Sequence, residues 1–350
     1  MLVGLFASGL LLCSQLLWPH QAAGAARPWS LVVVPEPGVP ADLYDITCVA
    51  ASDCWAVGTD FPPGGGFHPF TEHWDGATWT LGALPSPTGD DVISGVGCAD
   101  VRDCWAVGQE GTGGSLIEHF DGAVWSVVPS GQSGFGWLSA ITCVSSTDCW
   151  AVGSFLDHFD GSAWSTSPQP LPRGYTNAVA CVSSADCWAG FRDTSSAHHS
   201  AVMLHFDGGT WRIGQRLGRD MTTGGIACID SSDCWAAAGV RGADVNSIIE
   251  HFDGRAWALY KQPQDLSSAM GAALNDVACN GRGCFAVGEV LYDFAHGWQP
   301  MAERLSGHSW HVERTSLAGT ALRSIACTSA HCWALGRSNP SDPGFFVAEN

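Results

Sequence analysis

The sequence predicts an all-β fold in which seven blades of four strands close into one ring. Three observations support this: a repeat of about 46 residues, a cysteine pair in every repeat, and strand-length segments separated by turn residues. Periods of roughly 40–50 residues with four short strands in each unit are typical of propeller blades. We therefore expect a seven-bladed β-propeller.

Each predicted blade is marked by one cysteine pair. The repeats start near residues 46, 96, 141, 179, 226, 277 and 325. An even set of closely spaced cysteines in an exported chain indicates disulfides, whereas a zinc ribbon needs two C-x2-C pairs in one site. We expect no metal site and one hairpin disulfide per blade: Cys48–Cys54, Cys98–Cys104, Cys143–Cys149, Cys181–Cys187, Cys228–Cys234, Cys279–Cys284 and Cys327–Cys332.

The first repeat shows the four strands most clearly. Its first strand is expected around Ile46–Val49, its second around Trp55–Gly58 and its third around Thr71–Trp74, and its fourth begins near Trp79. In most repeats Asp-Gly joins the third strand to the fourth, which is a strong hairpin signal because both residues tolerate positive φ. No segment of useful length has the 3.6-residue period of an amphipathic helix.

The two ends of the chain are predicted to share one blade. The last cysteine pair is followed by a single strand within Gly344–Asn350, in which Val347-Ala348-Glu349 resembles the Ile-Glu-His of other third strands. The missing fourth strand matches the segment Pro28–Pro35. An N-terminal strand that completes the last blade would remove the open sheet edge of an unclosed array.

The N-terminus predicts export. Residues 1–17 are mostly apolar and small residues follow at positions 22–26, so residues 1–26 are expected to be a secretory signal peptide. The remainder, 27–350, is expected to form a single propeller domain. It has no apolar stretch long enough for a membrane span, so the mature chain is predicted to be secreted.

The charge balance limits the partners. The chain has 34 acidic against 15 Lys and Arg residues, which argues against nucleic acid and anionic membranes as ligands. Lys261 is the only lysine, and this skew toward arginine, together with abundant Ala and Gly, suggests a GC-rich bacterial source. We expect a monomer.

Most aromatic, histidine and acidic residues recur at equivalent positions of the repeats and are therefore interpreted as structural. The second-strand tryptophans, such as Trp55, are expected to face the adjacent blade, because strand residues alternate between faces. Five histidines sit on equivalent third strands, too far apart around a ring to share one ion: His73, His119, His158, His205 and His251. The acidic residues before them recur too, with Glu303 and Glu349 assigned to the same position in later blades.

Function is therefore sought in the long connections between the second and third strands and between blades. These share one face of a propeller, and loops on a rigid scaffold commonly carry binding. Ordinary loop packing is the alternative for any single residue. The candidate ligand-binding residues are Phe67, His68, Phe135, Trp137, Tyr175, Tyr292, His296 and Trp298.

The Cys-Trp-Ala-Val-Gly strand and the His-Phe-Asp-Gly-x-x-Trp hairpin resemble those of exported bacterial β-propellers, similar to kelch/galactose-oxidase-like and BNR/Asp-box propellers. The resemblance covers nearly the whole mature chain. The Asp-box match is partial, because this chain lacks the spacer between Asp and Gly. The resemblance therefore implies a fold and not an activity.

Three functions remain open. The favoured one is a secreted, non-enzymatic binding module without a cofactor, which recognises a carbohydrate or a cell-surface partner through the long-loop face. The second is a structural or assembly scaffold. The third is a sialidase-type glycoside hydrolase, which would need clustered arginines and a tyrosine nucleophile, with Arg173, Arg192, Arg241 and Tyr175 as candidates.

Overall fold

The computed structural model describes residues 28–350 except 133, 196–198, 241–246, 261–262, 264–265, 314, 316, 330 and 339–343. The expected signal peptide, residues 1–26, lies outside the described residues. The described strands form seven antiparallel sheets of four strands each, arranged as a ring. The predicted seven-bladed propeller is therefore confirmed.

The first three blades use consecutive strands in chain order. Blade one contains β2 (Ala41–Ala50), β3 (Asp53–Asp60), β4 (His68–Trp74) and β5 (Trp79–Ala83). Blade two contains β6 (Val92–Asp100), β7 (Asp103–Gln109), β8 (Ser115–Phe120) and β9 (Trp125–Val127). Blade three contains β10 (Leu138–Ser145), β11 (Asp148–Gly153), β12 (Leu156–Phe159) and β13 (Trp164–Ser167).

Blades four to six follow the same order. Blade four contains β14 (Gly174–Ser183), β15 (Asp186–Asp193), β16 (Ser200–Phe206) and β17 (Trp211–Arg219). Blade five contains β18 (Met221–Asp230), β19 (Asp233–Val240), β20 (Ser247–Phe252) and β21 (Trp257–Leu259). Blade six contains β22 (Gly271–Asn280), β23 (Gly283–Leu291), β24 (Trp298–Ser306) and β25 (Ser309–Glu313).

Blade seven joins the two ends of the chain, as predicted. It consists of β26 (Ala321–Cys327), β27 (Cys332–Arg337), β28 (Phe345–Glu349) and the N-terminal β1 (Ser30–Val32). Ser30 pairs with Glu349 across the outer two strands. Trp29, just before β1, is buried, and its indole nitrogen donates a hydrogen bond to the Glu313 carboxylate of blade six at 3.0 Å.

The first strand of each blade contacts the first strands of both neighbouring blades, so seven inner strands surround a central channel. Most of these strands extend several residues further toward the long-loop face than the sequence predicted: β2 begins at Ala41 rather than near Ile46. The predicted four-residue cores are therefore correct but too short. The additional residues matter because they form the wall of the channel near its mouth.

All seven predicted disulfides are formed. In each hairpin the two cysteines are direct partners in the register of the first two strands, as Cys143 and Cys149 are in blade three. The second cysteine of every pair is fully buried. Among the described residues, no helix has the length and apolar character needed to cross a bilayer.

The recurring tryptophans hold neighbouring blades together. Trp150 of blade three is 1% exposed, stacks on His158 of its own blade at 4.4 Å, and contacts Phe206 and Trp211 of blade four at 4.8 and 5.1 Å between ring centroids. The same arrangement recurs around the ring, for example where Trp55 meets blade two. The second-strand tryptophans therefore fill the spaces between blades.

The recurring histidines each bind an aspartate at the start of the second strand. His119, for example, lies 2.8 Å from the Asp103 carboxylate through Nε2 and stacks on Trp105 at 4.2 Å.

The sequence assignment of Glu349 was wrong by one position. Its register partner is Trp333, so Glu349 occupies the position that histidine has in other blades. It contacts His331 at 2.6 Å, which reverses the order of the acid and the base.

Candidate binding site at the mouth of the channel

A β-bulge occurs at the same point of every inner strand. In each blade the register between the first two strands shifts across the residue four positions before the first cysteine. A bulge leaves its extra residue without a partner in the ladder and redirects its side chain. All seven bulge residues line one cavity of about 260 Å³ in the channel: Tyr44, Ser94, Ser139, Asn177, Gly224, Asn275 and Arg323.

The chemistry of this bulge ring does not follow the repeat. It contains a phenol, two hydroxyls, two amides, a guanidinium and a glycine, but no aliphatic side chain. The amide nitrogens of Asn177 and Asn275 donate to backbone carbonyls of the following blade, at 3.4 and 2.7 Å. Every blade therefore presents the same backbone geometry to the channel, whereas the side chain it presents varies. Sequence reasoning missed this ring, although aligning the repeats on their cysteines would have shown its variable position.

Two carboxyl groups on the channel wall share one hydroxyl. Ser324 Oγ lies 2.8 Å from Asp45 and 2.9 Å from Asp276, which belong to the two blades on either side of it. Because a hydroxyl has one proton to donate, both contacts are full hydrogen bonds only when one of the two carboxyls is protonated and donates to Ser324. Desolvation raises the pKa of both, and with the charge of Asp45 it raises the pKa of Asp276 to about 7. This contact joins blades six, seven and one.

A second cavity of about 490 Å³ opens at the long-loop mouth, beside blades six, seven and one. Arg323 and Arg337 line it, and each lies near Asp42, at 3.7 and 3.6 Å from its carboxylate oxygens. The Arg323 guanidinium also lies 5.4 Å from the centre of the Tyr44 ring. Burial raises the pKa of Tyr44 and of Glu289, another lining residue, and the charge of Arg323 opposes both shifts.

An aromatic pair begins the inner strands of blades three and four. The rings of Trp137 and Tyr175 lie 5.7 Å apart, and Trp137 is 40% exposed. The Arg192 guanidinium lies 6.0 Å from the Tyr175 ring. Only two residues connect β11 to β12 beside Trp137, in contrast to the longer connections of most other blades. Both aromatic residues lie at the position six before the first cysteine, as Asp42 does in blade one.

The other candidate residues fall in three separate places. In blade one, Phe67 packs edge-on against Phe61 at 5.6 Å, and His68 Nδ1 lies 3.1 Å from the Asp60 carboxylate. Phe135 precedes the aromatic pair and is 86% exposed. The blade-six candidates are Tyr292, His296 and Trp298.

In blade six, Tyr292 and Trp298 are each 36% exposed, and His296 Nδ1 lies 2.8 Å from the Asp293 carboxylate. His68, Tyr175 and Trp298 are in strand ends and not in connections. Among the eight candidates, the described contacts bring only Trp137 and Tyr175 into ring contact.

The arginines considered for glycoside hydrolysis are not those that line the mouth cavity. Arg173 is exposed just before β14, Arg192 lies against Tyr175, and Arg241 lies outside the described residues. The arginines that line the mouth cavity are Arg323 and Arg337. Within the part of the chain that the structure describes, no group of three His, Cys, Asp or Glu side chains is placed to hold a metal ion.

Comparison with known proteins identifies the fold. No protein-family profile and no curated protein matches the sequence. Among solved structures, YCF48 bound to D1 peptide superposes with a TM-score of 0.62 at 16% identity, over 93% of this chain and 96% of that one.

Two further matches have names that refer to saccharides. The GH74 xyloglucanase from Xanthomonas campestris gives a TM-score of 0.59 at 12% identity, over 91% of this chain and 53% of that one. The endosialidase of phage phi92 gives 0.58 at 10% identity, over 92% and 68%. At these identities the likeness establishes the architecture alone: the chain has the β-propeller fold.

Proposed function

We propose that this chain is an exported, non-enzymatic binding module that holds a carbohydrate at the long-loop mouth of its central channel. The observation that carries the proposal is the bulge ring, which brings polar side chains from six blades, and the glycine of the remaining blade, to one cavity. A concave site with a few convergent polar groups is the usual form of a small-ligand site. The exposed pair of Trp137 and Tyr175 lies at the same end of the inner strands.

The lining favours a sugar over an apolar peptide anchor. The bulge ring offers hydroxyl, amide, phenol and guanidinium groups, which can bond to several ligand hydroxyls at once. Trp and Tyr combine a broad apolar face with a polar edge, which suits the stacked face of a pyranose ring. Protein partners, in contrast, are usually anchored by side chains in well-packed, desolvated pockets. The bulge ring contains no aliphatic side chain, and the aliphatic residues of the same cavity, such as Ile46 and Ile226, lie two positions further along the inner strands, away from the mouth.

The structural neighbours are compatible with this ligand class. Two of them are named for saccharide substrates, a xyloglucanase and an endosialidase. The YCF48 structure contains a peptide, so a peptide ligand is the main rival. The three are too distant in sequence to decide between these classes, and the lining of the mouth is the stronger support.

A carbohydrate panel tests the proposal. Residues 27–350 are titrated with neutral and acidic oligosaccharides by calorimetry, beside a peptide library. We expect saccharide binding that Trp137→Ala weakens by about tenfold or more, which corresponds to about 1.4 kcal/mol. Phe294→Ala is the matched control, because Phe294 is an 81% exposed aromatic residue in a blade-six connection, away from the pair. Absence of saccharide binding, or equal losses in the two variants, would contradict the proposal.

A further inference from the structure

The guanidinium groups of the mouth cavity have unused donors. Arg323 and Arg337 approach Asp42 at 3.7 and 3.6 Å, whereas a strong charge-assisted hydrogen bond is about 2.7–2.9 Å long. The Arg337 side chain is 43% exposed. Each guanidinium carries five N–H donors, and no other carboxylate is within ion-pair distance of either one among the described residues. Both groups can therefore accept a further anionic partner.

The local charge differs from that of the whole protein. The chain has a formal net charge of −19, yet two permanently charged arginines line this cavity, and one carboxylate, Asp42, lies within ion-pair distance of them. Glu289 is the one acid among the described residues that line the cavity, and burial opposes its ionisation. Because the cavity is partly enclosed, a carboxylate there would be screened less by solvent than on the open surface.

The position of this arginine pair relative to the aromatic pair suggests how one ligand could use both. In a ring of seven blades, the boundary between blades three and four lies across the channel from blade seven. Trp137 and Tyr175 belong to the first location, and Arg323 and Arg337 belong to the second. The bulge ring, with its amides and hydroxyls, lines the channel between them.

Building on the proposed function, we propose that the Arg323–Arg337 cavity binds the carboxylate of an acidic saccharide that spans the mouth. The planar guanidinium fork matches the two oxygens of a carboxylate, which a neutral sugar lacks. In this arrangement one sugar ring stacks on Trp137 and Tyr175, and a uronic acid residue reaches the arginines. The acidic group therefore determines which saccharide is selected, and the aromatic pair contributes affinity that neutral saccharides share.

Paired ligands that differ only in the carboxylate provide the test. Oligogalacturonate and hyaluronan oligosaccharides are titrated beside their carboxyl-reduced counterparts. We expect at least one acid to bind about tenfold or more tightly than its reduced form, with the preference falling as salt rises. Arg337→Met should lower the affinity for the acid toward that of its reduced form, so that the preference is lost. Arg337→Lys keeps the positive charge but not the two-pronged guanidinium, and should retain only part of the preference for the acid.

The controls separate this inference from the function on which it rests. Arg255→Met changes an exposed arginine in a tight turn of the opposite face and should leave the preference intact. If saccharides bind through Trp137 but acids and reduced forms bind equally, the carboxylate site is wrong and the proposed function stands. If only peptides bind, both are wrong. A thermal midpoint of Arg337→Met within a few degrees of the parent shows that the fold is intact.

Discussion

The tight-turn end and the channel end of the same blades differ in what they repeat. At the tight-turn end the side chains recur: five blades place a histidine between an aspartate and a tryptophan, as in Asp148, His158 and Trp150. At the bulge the backbone recurs in all seven blades while the side chain varies. Recurring residues thus mark the framework, and a recurring geometry with changing residues marks the place to look for ligand recognition.

The exceptions at the tight-turn end support this distinction. Blade seven reverses the acid and the base but keeps the contact, through His331 and Glu349 at 2.6 Å. Blade six replaces the histidine with Arg304, whose guanidinium lies 5.4 Å from the Phe285 ring. Where the framework residues change, a contact between a cationic or basic side chain and its neighbours is retained. The bulge ring has no such common contact.

The largest expected effect comes from removing a framework tryptophan. Trp150→Ala should lower the free energy of unfolding by about 3–5 kcal/mol, because a buried ring in contact with two blades leaves a cavity. Denaturant unfolding measures the loss. Trp137→Ala at the mouth is the matched variant and should cost much less, since that ring is partly exposed. Equal losses of unfolding free energy in the two variants would show that Trp137 stabilises the fold as much as a framework tryptophan does.

A smaller effect is expected from one disulfide. Replacing Cys143 and Cys149 together by serine should lower stability by about 2 kcal/mol, the value expected for a short closed loop. Saccharide binding by the folded fraction should be unchanged, because the pair lies on the strands away from the mouth. Unfolding monitored with and without ligand measures both quantities. A variant that stays folded but loses binding would show that the disulfide is needed for the binding site as well as for stability.

The smallest effect concerns a buried acid of the framework. Glu118 is fully buried and has no hydrogen-bond partner among the described residues; desolvation, with the charge of Asp91, raises its pKa to about 8. The unfolded chain releases this proton near pH 4.5 but the folded chain holds it until about pH 8. Its contribution to stability is therefore greatest below pH 4.5 and declines as pH rises to 8.

Glu118→Leu should remove that decline. Blade four carries Leu204 at the equivalent register position, so the fold accommodates leucine there. We expect little change at pH 4.5 and a gain of about 1 kcal/mol or more at pH 8, with about 5 kcal/mol as the upper bound set by the pKa shift; denaturant unfolding at both pH values measures it. Glu36→Leu is the control for the substitution itself, because Glu36 is exposed. A gain that is the same at both pH values would refute the assignment.

The sequence was sufficient for the framework because the framework is periodic. Each cysteine pair locates a hairpin, and counting the pairs gives the blades. The bulge ring is a property of register between two strands, which a single strand pattern does not reveal. Glu349 was misplaced for the same reason, since its motif resembled Ile-Glu-His but its pairing with Trp333 shifted it by one residue.

The candidate site was predicted only in part because its residues meet through the ring. Trp137 and Tyr175 could be identified singly as aromatic residues near connections, but their contact depends on how blades three and four sit together. Asp42 and Arg323 lie in the first and last blades, and closure brings them within ion-pair distance. The overall composition is acidic and therefore gives no indication that two arginines line one cavity.

The shared last blade sets the timing of folding. Asp45 and Ser324, which are joined through the serine hydroxyl, are 279 positions apart along the chain, and β1 pairs with β28 across a similar separation. Contacts this distant form slowly, because the entropy of the intervening chain is lost before the contact contributes any stabilising energy. During synthesis β1 therefore has no strand partner until β28 has been made. The mouth, whose arginines belong to the last blade, is completed only at that moment.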